Sequence, residues 1–347
     1  MRVHVTDLQP GDRLSQDTFT GFGLLVLSKG AVLNEHAVSR LYLHRIEYVE
    51  IEPRFSDTLL SPIESDLINP LLRPMYQEAV TGIENIFGKA LEEGKVHEED
   101  LKESFQPLVD NFKAERDVVS LLLLLNSQDD YTYQHSVQVG MLSYYIARWL
   151  GWDETHSVHA GKAGFLHDIG KCRIPDAILN KPGKLSREEY AEIQNHSKYG
   201  YEILENSFND RVLSLAALQH HERMDGTGYP NRLSGESIHP VSKIVAVADT
   251  YSAMISSRVY QEKRDLLVVL KELHRVSFRE LDPEVTFTFI RHMIPNFIGK
   301  KVELSGGVTG TIVMNHPTDF FHPLIRTGNE FIDLSVDPRY EILQVYL

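Results

Sequence analysis

The sequence predicts a mainly α protein, in which an all-helical central domain lies between a small β-rich N-terminal domain and a β-hairpin tail. Between residues 116 and 298, apolar side chains recur at helical spacing, as Val139, Leu142 and Ile146 do. The two ends of the chain instead carry short β-like runs separated by glycine and proline turn signals. A chain of 347 residues is long enough for two or three such domains.

The first third of the chain divides into two predicted segments. Residues 1–55 are predicted to form a small β-rich domain, because the runs RVHV, LLVL and EYVEIE are separated by the turn signals QPGD and SKG. Residues 56–115 are predicted to be a helical connector, since they include the charge-rich stretch GKALEEGKVHEEDLKES. A plain extension of the domain that follows explains the same pattern equally well.

The rest of the chain divides into the helical domain and the tail. Residues 116–298 form the predicted helical domain, in which Gly151 ends one helix and Ser186 with Glu189 has the form of a capping box. Residues 299–347 return to β structure, with a hairpin in KKVELSGGVTGTIVM and a final strand in RYEILQVYL. Because both ends are β-rich, composition suggests that the tail packs on the N-terminal domain, with GVTGTIV adding a strand to RVHV.

The overall composition excludes several classes of protein. A net charge of −14 argues against a protein that grips a nucleic acid polymer through its phosphates, although a metal site could still attract a small phosphorylated ligand. The most apolar run, VVSLLLLLNS, is too short to span a bilayer, so no membrane is expected. The single cysteine, Cys172, fits a reducing compartment, and the sequence therefore predicts a cytoplasmic protein.

A set of histidines and aspartates stands out from the 16 histidines of the chain because of its context. Asp249, for example, lies in a strongly apolar run, where a carboxylate is costly to bury unless it is paired or binds a metal. Imidazoles with carboxylates and no thiolate cluster suit iron, manganese, zinc or nickel. The set comprises His135, His167, Asp168, His196, His220, His221 and Asp249.

Seven ligands are too many for one metal ion that keeps open positions, so the set suits two ions that share a carboxylate. Ions roughly 3.5–4 Å apart clamp a phosphate and activate a bridging water. Lys171, three residues after Asp168, could then stabilise charge that builds on phosphoryl oxygens.

These residues carry a resemblance to a known family. The string HDIGK together with HHERMDGTGYP (220–230) resembles the HD-GYP family, a branch of the metal-dependent HD phosphohydrolases. The intervening IPDAILNKPGKLSREEYAEIQNHSKYGYEIL and the later DPEV fit the same pattern, and the resemblance covers residues 116–298. It implies an all-helical HD-type catalytic domain that hydrolyses cyclic di-GMP to pGpG and/or GMP, by attack of a metal-bridging hydroxide.

The resemblance also implies a role for each motif residue. Lys171 would touch the scissile phosphate, and Asp168 would bridge the metals. One metal would be bound by His135, His167, Asp168 and Asp249, and the other by Asp168, His196, His220 and His221. The substrate side would be shaped by Arg223, Gly228, Tyr229, Pro230 and Arg258, with Lys184 in reach of a phosphate. A structural salt bridge of Arg223, simple packing of Tyr229 and a solvated loop around Lys184 are the alternatives.

The sequence departs from the family pattern at two places. Tyr131 stands where some members carry the acid for a third metal, so two ions are predicted: iron, with manganese or nickel as alternatives. After Asp249, Ser252 replaces a second aspartate and Gln261 replaces a base. These changes leave open a hydrolase for pGpG or another cyclic dinucleotide. They also leave open a catalytically weak module that senses cyclic di-GMP or contacts a diguanylate cyclase or other signalling protein, and a homodimer.

Overall fold

A computed structural model describes residues 2–4, 8, 12–19, 25–34, 37–38, 40–41, 44, 46, 48–51, 72–112, 131–181, 183–256 and 266–346. Its chain forms two compact units, Met1–Ile68 and Asn69–Leu347.

The N-terminal unit is built from short antiparallel strands. Strand β1 (Arg2–His4) pairs with β4 (Tyr48–Glu50), and β2 (Thr18–Phe19) pairs with β3 (Leu25–Leu27). The runs RVHV, LLVL and EYVEIE therefore contain strands at the predicted places. Their buried apolar side chains form a small core of Leu14, Val26, Leu27, Leu33, Ala37, Leu41, Val49 and Ile51.

The second unit is dominated by helices. The α-helices are α1 (Leu72–Glu93), α2 (Glu98–Phe112), α3 (Tyr131–Trp149), α4 (Glu154–Leu166), α5 (Asp176–Leu179), α6 (Arg187–Gln194), α7 (His196–Ser207), α8 (Arg211–Gln219), α9 (Pro240–Ser256), α10 (Leu266–Ser277) and α11 (Pro283–Met293). Short 3-10 turns occupy Ile169–Arg173, Gly235–Ser237 and Ile294–Phe297. Among the helices of the described residues, none has the length and apolar character needed to cross a bilayer.

Helix α3 lies at the centre of this unit, because nearly every described side chain from its first turn to Ala147 is buried. It packs along α4, and α9 packs against both. Gly151 follows the end of α3, as predicted, with φ at 84°. Glycine adopts this left-handed conformation without strain. Asp153 then starts α4 by accepting the backbone N–H of His156 at 2.9 Å.

Other local signals in the sequence also appear in the structure. Ser186 accepts the backbone N–H of Glu189 at 3.2 Å, while the Glu189 carboxylate accepts the backbone N–H of Ser186 at 2.6 Å. The predicted capping box therefore starts α6. Helices α1 and α2, which contain most of the predicted connector, belong to the same compact unit, and α1 packs on α3 and on the turn at 169–173.

The tail of the second unit is a five-stranded antiparallel sheet. Its strands are β5 (Lys301–Leu304), β6 (Val308–Met314), β7 (Leu324–Thr327), β8 (Glu330–Asp333) and β9 (Ile342–Tyr346). The spatial order is β8-β7-β6-β5-β9. Strand β6 is hydrogen-bonded to β5 on one side and to β7 on the other. The expectation that GVTGTIV adds a strand to RVHV stays a prediction, whereas the mainly α class with flanking β structure is confirmed.

Candidate metal centre

Seven histidine and aspartate side chains reach one buried region from five segments of the helical unit. His135 lies near the start of α3, and Asp249 lies in the middle of α9. His167 and Asp168 follow the end of α4, where the chain tightens into the turn at 169–173. His196 opens α7, and His220 with His221 follows α8.

These side chains form two groups that could each hold a metal ion. Within each group the donor atoms lie within 4.8 Å of one another. All seven residues are buried except His221, which is half-buried. The first group is His135, His167 and Asp249, and the second is Asp168, His196, His220 and His221. The structure therefore brings together every residue that the sequence assigns to the metals.

Asp168, a member of the second group, also faces the first group, and it presents one carboxylate oxygen to the histidines of each. Its Oδ2 is 3.2 Å from His167 Nε2 and 3.9 Å from His135 Nε2. Its Oδ1 is 3.4 Å from His196 Nε2 and 3.9 Å from His220 Nε2. This is the arrangement that a carboxylate bridging two metal ions requires.

Three of the imidazoles are held by backbone carbonyls of their own helical turn. A carbonyl only accepts hydrogen bonds, so the Nδ1 atom of each ring carries the proton and Nε2 keeps its lone pair. That is the tautomer in which a histidine binds a metal through Nε2. The pairs are His167 with Gly164 at 2.6 Å, His196 with Ile193 at 2.6 Å, and His220 with Ala217 at 2.9 Å.

Burial keeps the imidazoles of the second group neutral. It lowers the pKa of His196, lowers that of His220 well below the ordinary value, and lowers that of His221 to about 3. A ring without a proton on its donor atom at neutral pH is the form that a metal binds.

The carboxylate of Asp168 is kept ionised in a buried position by neighbouring positive charges. Burial raises the pKa of Asp168, but the charges of His167 and Lys171 outweigh it and hold the pKa well below the ordinary value. In return, although burial lowers the pKa of His167, Asp168 raises it above the ordinary value. A metal ion supplies the same positive charge in place of a proton.

Two contacts test whether the residues fit a divalent ion. The buried Nε2 of His167 makes no well-aligned hydrogen bond, although Oδ2 of Asp168 lies 3.2 Å away, and a buried nitrogen of this kind is rare in a native protein. The Nε2 atoms of His196 and His220 lie 3.2 Å apart, although both rings carry their proton on Nδ1. Lone pairs face each other in this way when both coordinate one ion, since two nitrogens roughly 2.1 Å from a metal lie roughly 3 Å apart. The cluster therefore fits divalent metal binding.

Two glycines allow the backbone to approach closely enough to assemble the site. A Cβ on Gly170 would lie 1.9 Å from the His196 carbonyl oxygen and 2.3 Å from the Gly200 nitrogen. A Cβ on Gly228 would lie 2.4 Å from the His221 carbonyl oxygen. The first glycine brings Asp168 to α7, and the second lays the Gly-Tyr-Pro segment on the paired histidines.

The loop that carries Tyr229 is fixed over His221. The two rings stack, with centroids 4.6 Å apart and planes at 28°. Glu222, buried in the same turn, accepts the backbone N–H groups of Asn231 at 2.7 Å and Leu233 at 2.9 Å. Sequence reasoning gave Glu222 no role. Its position directly after the two histidines, beyond the end of the helix, was the signal that could have indicated a structural role.

The predicted substrate residues occupy different environments. Lys171 Nζ lies 2.6 Å from Asp168 Oδ2, at the centre. The guanidinium of Arg223 donates to the carbonyls of His220 and Glu222, so it braces the turn.

Other predicted positions lie further out or cannot be placed. Lys184 is exposed. Gly228, Tyr229 and Pro230 lie in the loop over His221, and burial raises the pKa of Tyr229, which keeps its phenol protonated. Arg258, Gln261 and the side chain of Tyr131 lie outside the described residues.

Ser252 touches the centre without being a predicted ligand. Its hydroxyl lies 3.0 Å from Nδ1 of His135 and donates to the side-chain carbonyl of Gln138 at 2.9 Å. Sequence reasoning noted Ser252 only as a departure from the family pattern, and it did not consider Gln138.

Comparison with known proteins gives this arrangement a class. The family model described as "HD domain" matches residues 120–285. Bd1817, an HDG"Y"P protein from Bdellovibrio bacteriovorus, superposes with a TM-score of 0.52 at 17% identity, over 83% of this chain and 97% of that chain. The helical fold and the paired histidine–aspartate groups thus define an HD-domain protein.

Curated relatives narrow the class to a family. The cyclic di-GMP phosphodiesterase PA4108 of Pseudomonas aeruginosa is 35% identical over 206 residues, which are 59% of this chain and 50% of that protein. A cyclic di-GMP phosphodiesterase of Thermotoga maritima is 34% identical over 70% of this chain and 66% of its own length. A 3'3'-cGAMP-specific phosphodiesterase of Vibrio cholerae is 35% identical over 51% of this chain and 42% of its own length. The chain belongs to the HD-GYP family.

Proposed function

We propose that this chain is a metal-dependent phosphodiesterase that hydrolyses a cyclic dinucleotide, with cyclic di-GMP as the substrate and pGpG and/or GMP as products. The observation that carries the proposal is the position of Asp168, whose two carboxylate oxygens face separate histidine groups. Two curated relatives named cyclic di-GMP phosphodiesterases support the substrate. The chain spans half the length of the first relative and 66% of the second, so the substrate is part of the proposal.

The seven buried side chains would hold two divalent ions, iron by preference, with manganese or nickel as alternatives. Oxygen and imidazole donors without thiolates suit these metals. Bound there, divalent ions would activate water at neutral pH and polarise phosphoryl oxygens. The ligand sets would be His135, His167, Asp168 and Asp249 for one ion and Asp168, His196, His220 and His221 for the other.

The remaining residues would position the substrate. Lys171, whose side chain is 23% exposed beside Asp168, can offer its ammonium to a non-bridging phosphoryl oxygen. Its charge would stabilise the oxygen while the bond from phosphorus to the 3′ oxygen breaks. Tyr229, as a neutral phenol stacked on His221, can border the bound phosphate and donate a hydrogen bond.

A second candidate substrate is another cyclic dinucleotide, 3'3'-cGAMP. Three relatives from Vibrio cholerae with 33–35% identity carry names that specify this molecule. The two substrates share the cyclic phosphodiester backbone and differ in one base, so the metal centre described above does not distinguish them.

Parallel turnover assays test the proposal. Protein purified without oxygen and loaded with Fe(II) or Mn(II) is given cyclic di-GMP, 3'3'-cGAMP or pGpG, and products are separated by chromatography. Elemental analysis of the same samples counts the bound ions. We expect hydrolysis of cyclic di-GMP by the loaded protein and none by a His196→Gln variant purified in parallel. Tight binding of cyclic di-GMP without turnover, whichever metal is loaded, would overturn the proposed phosphodiesterase activity. It would instead support a sensing module.

A further inference from the structure

Arg232 has an unusual backbone conformation in the loop that follows the paired histidines. Its φ is 55°, and among the residues that the structure describes it is the only one other than glycine with a positive φ. This left-handed conformation brings the Cβ of an ordinary residue too close to the following carbonyl oxygen, whereas glycine adopts it freely. An arginine at this position therefore costs stability that a glycine would not.

Hydrogen bonds to one buried carboxylate hold this conformation. Glu222 is 2% exposed, and its two oxygens accept the backbone N–H groups on either side of Arg232, from Asn231 at 2.7 Å and from Leu233 at 2.9 Å. Backbone N–H groups that converge around a left-handed residue form a concave site for an anion. Glu222 supplies that anion, and both of its oxygens are thereby bonded to the backbone and not to the Arg232 guanidinium.

The same contacts place Arg232 beside the candidate metal centre. Glu222 directly follows His221, a proposed metal ligand, and Tyr229 stacks on His221 with ring centroids 4.6 Å apart. Arg232 comes three residues after Tyr229, so their Cα atoms would lie within about 11 Å of each other even if the chain between them were fully extended. The backbone of Arg232 therefore belongs to the loop that covers His221.

The side chain of Arg232 takes no part in holding this loop. It is exposed, and within the described part of the chain its guanidinium forms neither a hydrogen bond nor an ion pair. Arg223, in the same loop, instead donates to two backbone carbonyls. The positive charge of Arg232 is thus available to a ligand, in a protein whose net charge is −14.

We propose that Arg232 is a substrate-binding residue, whose guanidinium contacts the phosphate of the cyclic dinucleotide that the metal ions do not hold. Such a substrate carries two phosphodiesters, and the metal centre with Lys171 serves the one that is cleaved. A guanidinium binds phosphate oxygens through two parallel hydrogen bonds. This contact explains why an arginine stands where a glycine would be less strained, since strained residues cluster at ligand sites. The inference rests on the proposed function.

Two substitutions separate the charge from the backbone conformation. Arg232→Gly removes the guanidinium and relieves the left-handed conformation, whereas Arg232→Ala removes the guanidinium and keeps that conformation. For both variants we expect KM for cyclic di-GMP to rise about tenfold or more, as for the loss of a charge-assisted hydrogen bond, with kcat and metal content close to wild type. The thermal unfolding midpoint of Arg232→Gly should lie above that of Arg232→Ala. A purely structural role of Arg232 would leave KM of Arg232→Gly unchanged.

Two further measurements identify the group that Arg232 contacts. Arg232→Lys keeps a positive charge and should recover part of the lost affinity. Cyclic di-GMP and 3'3'-cGAMP share both phosphates and differ in one base, with 3'3'-cGAMP assayed as a substrate or as a competitive inhibitor. The loss of affinity in Arg232→Gly should therefore be the same factor for both molecules. A loss confined to cyclic di-GMP would show a contact to the base and overturn the phosphate contact.

The matched control is Arg291→Ala, which removes an exposed arginine from α11. This variant should keep the wild-type KM. If Arg232→Gly and Arg232→Ala also keep it, the inference is overturned while the proposed function stands. If the wild-type protein neither hydrolyses nor binds a cyclic dinucleotide, the proposed function fails, and the phosphate contact fails with it.

Discussion

The Nζ atom of Lys171 lies 2.6 Å from Oδ2 of Asp168, which precedes it in the chain by three residues. Asp168 is almost completely buried, whereas the Lys171 side chain is 23% exposed. The lysine thus joins the interior of the centre to its open side, where a substrate would enter. Its ammonium compensates the carboxylate and remains close enough to contact a phosphate.

Replacing Lys171 by alanine should separate catalysis from metal binding. In the proposed function, the ammonium stabilises charge that develops on the phosphoryl oxygens. We expect Lys171→Ala to keep both ions by elemental analysis and to lower kcat by 10²–10³-fold, roughly the effect of removing one charge-stabilising donor. Lys198→Ala, an exposed lysine on α7, is the control and should leave kcat unchanged. A metal-loaded Lys171→Ala protein with the wild-type rate would disprove this role.

Replacing Asp168 by alanine should instead empty the centre. Both histidine groups face this one carboxylate, so its removal takes a donor from each proposed ion. We expect Asp168→Ala to fold, to bind at most a small fraction of the wild-type metal and to lose turnover on cyclic di-GMP. Elemental analysis and circular dichroism check the two parts. Asp176→Ala, an exposed aspartate in α5, serves as the control. Full metal content in Asp168→Ala would show that Asp168 does not bridge.

Much of the centre could be predicted from sequence because its ligands lie in short, chemically unusual strings. His167 with Asp168, and His220 with His221, stand side by side, and in the structure each pair follows the end of a helix. The helix end at Gly151 was predictable for the same reason, since its signal is local. The ligand assignments to individual ions stay a prediction.

What the sequence did not reveal depends on contacts between distant residues. Ser252 and Gln138 are 114 positions apart, and Tyr76 bonds to the carbonyl of a residue 58 positions away. No periodicity reports such pairs. The expected pairing of GVTGTIV with RVHV stays a prediction, because β composition does not specify which strands pair. In the structure β6 pairs with β5 and β7, its neighbours in the chain.

Gly228→Ala should disturb the loop over the paired histidines. The added methyl would lie 2.4 Å from the His221 carbonyl oxygen, which is backbone and cannot rotate away. We expect lower stability in thermal unfolding and a raised KM, because the stacking of Tyr229 on His221 is displaced. Gly88→Ala is the matched control: this helical glycine in α1 is exposed and has no atom within 4 Å of an added Cβ. It should stabilise the protein by about 0.5–1 kcal/mol. Equal stability of the two variants would contradict the close approach at Gly228.

The metal-free protein should lose stability as the pH falls below about 6.5, the ordinary pKa of histidine. Burial lowers the pKa of His221 to about 3, so between these values the unfolded chain binds a proton at this residue and the folded chain does not. The free energy of unfolding therefore decreases with falling pH, by up to about 1.4 kcal/mol per pH unit for one such histidine. Above about pH 6.5, His221 is neutral in both states and does not affect it. Burial acts with the same sign on His196 and His220.

Urea denaturation in the presence of a chelator, at several pH values from about 7.5 to 5, measures this dependence. His221→Gln removes one titrating group and should make the slope shallower by close to one proton. His322→Gln, an exposed histidine paired with Asp319, provides the background for an ordinary substitution. If His221→Gln and wild type have the same slope, His221 is protonated in the folded, metal-free protein. It would then have to lose that proton before it could bind a metal ion.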